Sequence, residues 1–245
     1  MTRKGKAFLI SAILSFSGGF QDAYTYFLRG NVFANAQTGN IVLMSRHLFD
    51  REWGRVLHYL FPVLAFILGI FLTSWVSFLF GSSRRLRWQQ IVLATEIAVL
   101  SAVAFIPHEL DSVATVLVSF SCAMQVQAFR QAGGLTYAST MIIGNLRSGT
   151  EELSLFLYEH KKERLHYALF YFGVILIFAL GAGTGGVLST VLGLRSILIS
   201  AAALLLVFGI MFIKSRPDKT SAGNEAVQSP EASHSGAVND VTPSP

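Results

Sequence analysis

Charged residues are scarce in this chain. Asp, Glu, Lys and Arg make up only 13% of its 245 residues, whereas a soluble domain usually carries about 25%. Hydrophobic residues make up 52%, and the mean hydropathy is +0.53. A chain this poor in charge and rich in apolar side chains is typical of a protein that has the lipid bilayer as its solvent.

Cysteine is also scarce, since Cys122 is the only one. A single cysteine excludes an intrachain disulfide and a thiolate metal cluster. The histidines are spread over predicted membrane boundaries without metal-ligand spacing, so we expect no metal and no other cofactor. No Ser/His/Asp arrangement, phosphate-cradling loop or catalytic carboxylate pair is evident either, and we expect the protein not to be an enzyme.

The string from Gly181 to Gly186 satisfies the G-x-G-x-x-G pattern of dinucleotide-binding folds, but that pattern requires a preceding strand. Here it lies inside an apolar run, which favours close helix packing through small residues.

The net charge of +5 raises the possibility that nucleic acid is a partner. The basic residues, however, form short clusters beside apolar runs, which are typical topology signals, and we expect no nucleic-acid binding.

Long apolar runs predict the architecture. A helix needs roughly 20 apolar residues to cross the hydrocarbon core of a bilayer. Six stretches meet or approach this length, and we read the first as a retained helix because no clean signal-peptide cleavage site follows it. The chain is therefore predicted to be an all-α membrane protein, a bundle of six strong transmembrane helices: Ala7–Leu28, His58–Phe80, Gln89–Pro107, Val113–Gln131, Leu165–Leu192 and Ser196–Ile213.

Two further segments, Asn31–Phe49 and Thr136–Tyr158, are long enough for helices but are interrupted by polar residues and glycine. They could span the membrane, re-enter it or lie on its surface. Non-helical backbone at membrane depth is tolerated only where protein or a water-filled cavity covers it. We therefore expect these segments either inside the bundle or outside the membrane.

The chain divides into a transmembrane domain, residues 1–215, and a tail, residues 216–245. The tail contains no Leu, Ile, Phe, Tyr or Trp. Such a segment cannot bury enough apolar surface to offset its ordering entropy. We expect a disordered cytoplasmic tail.

The order of features suggests an internal duplication, with repeats at 7–107 and 113–213. Sliding the sequence along itself aligns Gly39-Asn40 with Gly144-Asn145, and His58-Tyr59 with His166-Tyr167. An odd number of crossings in each half would make the repeats inverted. Six crossings place most basic clusters and both termini in the cytoplasm, with exceptions at Arg46, Arg51 and Arg55. Eight crossings move those three arginines inside and the Arg84–Arg87 cluster outside.

The first helix carries a stripe of small and polar residues at alternating spacings of four and three, which places them on one helical face. Its members are Ser11, Ser15, Gly18, Asp22, Thr25 and Arg29. Ionisable groups at membrane depth are costly, so Asp22 is a functional candidate, as is Glu96 midway along its apolar stretch. In the structural alternative, Asp22 lies near the outer end of the helix and only pairs with Arg29 or snorkels to the membrane surface, and a protonated Glu96 only bonds to a backbone carbonyl.

The second half supplies polar residues that could face this stripe if the two halves meet near a repeat axis. Arg130 and Arg147 could balance Asp22. The alternative is that these side chains only join helices by hydrogen bonds, each worth roughly 0.6 to 2 kcal/mol. The predicted substrate-binding residues are Asp22, Asn35, Thr38, Asn40, Glu96, Gln127, Arg130, Asn145 and Arg147.

The run Gly18-Gly19-Phe20-Gln21-Asp22-Ala23, followed by Thr38-Gly39-Asn40, resembles the hallmark of the YoaK-like family of bacterial multi-pass membrane proteins, the domain of unknown function 1275. The resemblance covers most of residues 7–213. The second half departs from the family pattern, since Ile143-Gly144 stands where the family tends to show Thr-Gly. The resemblance implies a bacterial membrane location and a helical bundle similar in size to half of a major-facilitator transporter, and it implies no substrate.

These features predict a small transporter or permease-like protein for a small solute, in the bacterial inner membrane with both termini in the cytoplasm. The expected partners are the lipid bilayer and a second copy of the chain. We expect a homodimer because one chain is small for alternating access. The alternative is a membrane scaffold or partner subunit whose polar stripe only packs helices.

Overall fold

The computed structural model describes residues 3–80, 88–132, 135–136 and 139–212. In these ranges the chain is helical apart from a two-residue antiparallel hairpin, Gln131–Ala132 with Leu135–Thr136, and its connecting loops. Short 3-10 turns, His108–Leu110 and Gly193–Ser196, lead into two of the helices. The eight α-helices are α1 (Arg3–Leu28), α2 (Gln37–Phe49), α3 (Trp53–Phe80), α4 (Trp88–Val103), α5 (Asp111–Ala128), α6 (Ile142–Glu159), α7 (Lys162–Leu192) and α8 (Ile197–Phe212).

The predicted helical class is confirmed for the described part of the chain. The length and apolar character of its helices agree with a membrane protein. Three stretches are long and apolar enough to cross a bilayer: Trp53–Leu79, His108–Ala128 and Lys162–Phe212. The last contains both α7 and α8, and α4 is a shorter apolar helix. The count of six crossing helices stays a prediction. The predicted tail, residues 216–245, and the Arg84–Arg87 cluster lie outside the described residues.

The structure shows where the first polar-interrupted segment becomes helical. Residues 29–36 form a loop, and α2 begins only at Gln37. Helix α1 ends because Gly30 and Asn31 adopt left-handed backbone angles, with φ of 88° and 61°. The Asn31 amide then donates to the Tyr26 carbonyl at 3.1 Å, the bond that closes a Schellman motif. The second polar segment becomes helical at Ile142.

Helices α1 and α7 pack in backbone contact. A Cβ atom placed on Gly185 would lie 2.8 Å from the Phe20 carbonyl oxygen, and one on Gly181 would collide with the Phe16 carbonyl. Gly19 faces α7 in the same way, against the Phe178 carbonyl. The predicted role of the glycine string in helix packing is therefore confirmed.

The helix ends can be assigned to two ends of the bundle. At the Arg29 end, α1 finishes beside the start of α3, because His58 Nε2 lies 2.9 Å from the Gly30 carbonyl oxygen, and beside the start of α5, through Asp111. At the Lys6 end, Lys6 Nζ donates to the Met211 carbonyl at the end of α8. The start of α7 is at this end too, since the rings of Phe8 and Phe170 lie 5.9 Å apart.

Arg29 ties the Arg29 end together although its side chain is fully buried. Its guanidinium donates to Asp111 at 2.7 Å, to the Val103 carbonyl at 2.9 Å and to the Tyr24 hydroxyl at 2.9 Å. One charged side chain thus joins the end of α1 to the end of α4 and the start of α5. The pairing of Arg29 with Asp22 that the structural alternative assumed is wrong, since Asp111 takes that place.

Replacing Asp111 by Asn should destabilise the fold by about 3 kcal/mol, because it leaves a buried guanidinium without its countercharge. Thermal unfolding of the purified protein in detergent would measure this loss. Arg55→Ala is the control, since the Arg55–Glu52 pair is 69% and 49% exposed and such pairs contribute roughly 0 to 1 kcal/mol. Equal losses in the two variants would contradict this account of Arg29.

Candidate functional site

Asp22 lies about three-quarters of the way along α1, and its carboxylate accepts a hydrogen bond from the backbone that leads into α2. Oδ1 accepts a hydrogen bond from the Asn35 amide at 2.7 Å, and the carboxylate also interacts electrostatically with the backbone amides of Ala34 and Ala36. Amides before and within the first turn of a helix have no partner in the helix, and they carry partial positive charge. A buried carboxylate provides both a hydrogen-bond acceptor for such an amide and a negative charge beside the positive end of the helix.

Both polar-interrupted segments approach the middle of α1. The Asn35 side chain donates to the Gly18 carbonyl at 3.2 Å, just before α2. On the other side, Gln125 Nε2 donates to the Leu14 carbonyl at 3.1 Å and to the Ser139 hydroxyl at 2.9 Å, just before α6. The Thr140 side chain packs directly against Gly18. The starts of α2 and α6 therefore meet α1 within about one helical turn of each other.

Glu96 lies at the middle of α4, fully buried, and belongs to a polar network that joins four helices. Gln21 Nε2 is 3.5 Å from Glu96 Oε1 and also donates to the hydroxyls of Ser17, at 2.9 Å, and Ser200, at 3.1 Å. Cys122 Sγ donates to Gln21 Oε1 at 2.8 Å. Helices α1, α4, α5 and α8 thus share one buried polar contact.

Several buried oxygens near this network have no hydrogen-bond partner in the part of the chain that the structure describes. Three belong to acid or amide side chains, namely Asn35 Oδ1, Glu96 Oε2 and Gln125 Oε1. These residues are 8%, 0% and 1% exposed. An unsatisfied buried acceptor costs about 1 to 3 kcal/mol, so such atoms are uncommon unless they serve a purpose.

The predicted site residues separate into two groups. Asp22, Asn35 and Glu96 come together in the middle of the bundle, and Asn145 is buried at 2% exposure in the first turn of α6. The whole stripe on α1 is buried, as its spacing indicated. The other group lies away from this centre and consists of Thr38, Asn40, Gln127, Arg130 and Arg147.

Two members of the second group bind neighbouring chain segments. Asn40 Oδ1 accepts from the Phe33 amide at 2.9 Å, and its Nδ2 donates to the Phe33 carbonyl at 2.7 Å, so Asn40 holds the loop before α2. Gln127 donates to the Ser74 hydroxyl at 2.9 Å and joins α5 to α3. For these two, the helix-joining alternative describes what the structure shows.

Thr38, Arg130 and Arg147 are exposed. No ion pair among the described residues links either arginine to Asp22, so the predicted charge balance is not what the structure shows. The Asp22 carboxylate instead accepts a hydrogen bond from the Asn35 backbone amide. In the ranges that the structure describes, no group of three or more His, Cys, Asp or Glu side chains could hold a metal ion.

Sequence reasoning missed Gln21 and Cys122 as members of the centre. Gln21 is adjacent to Asp22 but outside the stripe, and its pairing with Ser17 at the four-residue helical spacing was the available signal. From the sequence, Cys122 is notable only as the single cysteine, which cannot form an intrachain disulfide. Its place beside Gln21 depends on how α5 packs against α1, which no local pattern indicates.

Comparison with known families decides the identity at family level. The family model described as "Protein of unknown function (DUF1275)" matches residues 10–210. The chain belongs to this family. This chain is also 27% identical, over 183 residues, to "UPF0700 transmembrane protein YoaK" of Bacillus subtilis (strain 168). The match covers 70% of this chain and 79% of the relative. No solved structure matches it.

The resemblance in the hallmark run is thus confirmed, and with it the assignment to a family of membrane proteins. The residues of that run have distinct positions in the DUF1275 chain. Gly18 and Gly19 are close-approach positions, while Gln21 and Asp22 supply the polar contacts to α4 and α2.

Asn40→Ala should lower the free energy of unfolding by about 2 kcal/mol, because it removes the bonds that hold Phe33 and leaves backbone groups unpaired. Thr38→Ala, two residues away and exposed, should change it by less than about 0.5 kcal/mol. Urea or thermal unfolding of both variants in detergent measures the difference. A Thr38 variant as unstable as the Asn40 variant would refute this division of roles.

Proposed function

We propose that this chain is a small multi-pass transporter of the bacterial inner membrane, with a binding site for a small solute where α2 and α6 begin. One observation carries the proposal: α2 and α6 both start in the middle of the bundle. The connections that lead to these two starts enter the bundle from opposite ends. Discontinuous helices that meet near the bilayer midplane form the substrate and ion sites of many secondary transporters.

Helix α2 approaches from the Arg29 end. The loop of residues 29–36 leaves α1 there and brings Asn35 back to the level of Gly18. Helix α2 then returns to the same end, because α3 starts there after a connection of three residues. With 13 residues it is about 20 Å long, too short for a hydrocarbon core of about 30 Å.

Helix α6 approaches from the Lys6 end. Helix α5 runs away from the Arg29 end, and the chain then returns to the middle of α1 at Ser139 and Thr140. The far end of α6 is polar, since Arg164 pairs with Glu152 at 3.1 Å. A hydrogen bond from Lys161 there lowers the pKa of the Glu159 carboxyl below its ordinary value.

This geometry supports six crossing helices, α1, α3, α4, α5, α7 and α8, with α2 and α6 as re-entrant helices. It also supports the internal duplication. If α1 to α4 correspond to α5 to α8, the contact of α1 with α7 corresponds to that of α5 with α3, and the contact of α2 with α3 corresponds to that of α6 with α7. Helices α4 and α8, each of 16 residues, pack against each other.

Three crossings in each half make the two repeats inverted, as in many transporters. In this arrangement both termini lie in the cytoplasm, and the Arg29 end faces the periplasm. A pseudo-twofold axis in the membrane plane then passes near Gly18, where the two re-entrant helices meet. A homodimer remains our proposal for the assembly, because six crossings are few for a complete alternating-access pathway.

A labelling experiment tests the topology. In a Cys122→Ser background, Arg55→Cys should react with a membrane-impermeant maleimide in intact spheroplasts, because α2 and α3 join on the periplasmic side. Lys161→Cys is the control and should react only in inverted vesicles. Labelling of Arg55→Cys only in inverted vesicles would mean that α2 crosses the membrane, as in the eight-crossing alternative, and would refute the re-entrant arrangement.

A flux experiment tests the function. Wild-type protein in proteoliposomes should take up a member of a panel of small ions, amino acids, sugars and organic acids. Asp22→Asn should reduce this uptake to the level of empty liposomes, while its unfolding temperature stays close to wild type because an asparagine oxygen still accepts the amides before α2. Asp50→Asn, at the exposed end of α2, is the control and should transport normally.

Two results would reject the transporter. Uptake by Asp22→Asn equal to wild type would mean that the acid has no part in transport. No uptake by wild type over the whole panel would favour a scaffold or partner subunit, whose buried polar groups only join helices as Gln127 and Ser74 do.

A further inference from the structure

The side-chain amides in the middle of the bundle already have acceptors, while several side-chain oxygens there have no partner. The side-chain amides of Gln21, Asn35 and Gln125 all donate, and so does the Cys122 thiol. Among the described residues, buried side-chain oxygens without a partner include Asn35 Oδ1, Glu96 Oε2 and Gln125 Oε1. The other unpartnered atoms, on Thr73, Ser119, Ser121 and Glu159, are hydroxyls or lie at the end of α6. The three amide and carboxylate oxygens are thus acceptors that no described donor reaches.

These oxygens belong to one connected group of side chains. Cys122 contacts Gln21 and also interacts with the Asn35 side chain. Glu96 is joined to Gln21, and Gln125 follows Cys122 by three residues on the same helix, close to one turn. The two carbonyls of α1 that Asn35 and Gln125 contact, at Gly18 and Leu14, are also one turn apart.

No basic side chain in the described ranges pairs with Glu96. Arg29 is engaged at the far end of α1 by Asp111, and Asp22 is engaged by backbone amides. Glu96 is thus the acid of the centre whose second oxygen has no donor. Buried charges are normally paired, and buried acceptors normally find a donor.

We propose that Glu96 Oε2, Asn35 Oδ1 and Gln125 Oε1 form a binding site for a small monovalent cation, either Na⁺ or a proton. Oxygen-only ligands suit an alkali ion, and one carboxylate supplies a single balancing charge. A divalent ion is disfavoured, because Ca²⁺ takes six to eight oxygens, commonly from several carboxylates. The role of this cation in coupling rests on the proposed function, whereas its binding does not.

The single cysteine is a natural reporter for this site, because Cys122 lies within it and is buried. Purified full-length wild type is treated with N-ethylmaleimide in NaCl, KCl or choline chloride, at one pH and one ionic strength. Ligand binding suppresses the open forms in which a buried thiol reacts. At a Na⁺ concentration ten times the dissociation constant, labelling should be about tenfold slower than in choline.

A second measurement identifies a proton as the cation. Thermal unfolding in choline chloride is followed as the pH is lowered, for wild type and for Glu96→Gln. If the cation is a proton, wild type should gain thermal stability relative to Glu96→Gln as the pH falls. Glu109→Gln, in the 3-10 turn at the Arg29 end, is the matched control and should follow wild type.

The two outcomes separate the sources of the cation. Sodium-dependent protection of Cys122 that is lost in Glu96→Gln identifies Na⁺, whereas the pH difference without a sodium effect identifies a proton. If Glu96→Gln does not fold, wild type is still decisive through sodium protection and through the infrared carbonyl band of a protonated carboxyl group. Absence of both the sodium effect and the proton effect overturns the proposal.

Failure here is distinguishable from failure of the proposed function. Cation binding without uptake of any solute would leave this site in place and reject the transporter. Absence of both the sodium and the proton effect, together with uptake that is lost in Asp22→Asn, would reject this site and leave the transporter in place.

Discussion

The carboxylate of Asp22 satisfies the backbone at the point where the chain stops being helical inside the bundle. The interior of the bundle offers no water to the buried Asn35 amide, and an unsatisfied buried donor would cost about 1 to 3 kcal/mol. Because the Asp22 carboxylate accepts this amide and also interacts with those of Ala34 and Ala36, α2 can begin in the middle of the bundle instead of at its surface. The position of α2, and with it the place of Asn35 beside Gly18, depends on this interaction.

Most of the other helices pack against α1, and different faces of α1 contact different helices. Its glycine face lets α7 approach to backbone contact, where any Cβ would collide. Its polar face offers carbonyls and side chains to α4, α5, α8 and the starts of α2 and α6. The apolar helices then pack around it, while Arg29 closes one end through Asp111. A polar helix at the centre explains why α1 is absent from the stretches that are apolar enough to cross a bilayer.

Sequence reasoning was most accurate where the pattern was local and repeated. The spacing of the stripe from Ser11 to Arg29 places its members on one helical face, and every member is buried. The glycine string was predicted to pack helices, and it does. It was wrong where a partner had to be chosen at long range. Arg29 pairs with Asp111 and not Asp22, and the exposed Arg130 and Arg147 balance neither acid.

The sequence by itself determined that this chain is a helical membrane protein of its family. Scarce charge, long apolar runs and the Gly-Gly-Phe-Gln-Asp-Ala run can all be read from the linear sequence, without knowledge of which residues meet in space. Only the tertiary structure decided which polar residues share a site. Asn40 and Asn35 are five positions apart, yet one clamps a loop while the other contacts Gly18. The reason is physical: hydropathy and helical periodicity act along one element, whereas a buried hydrogen bond depends on which helices pack together and at what height.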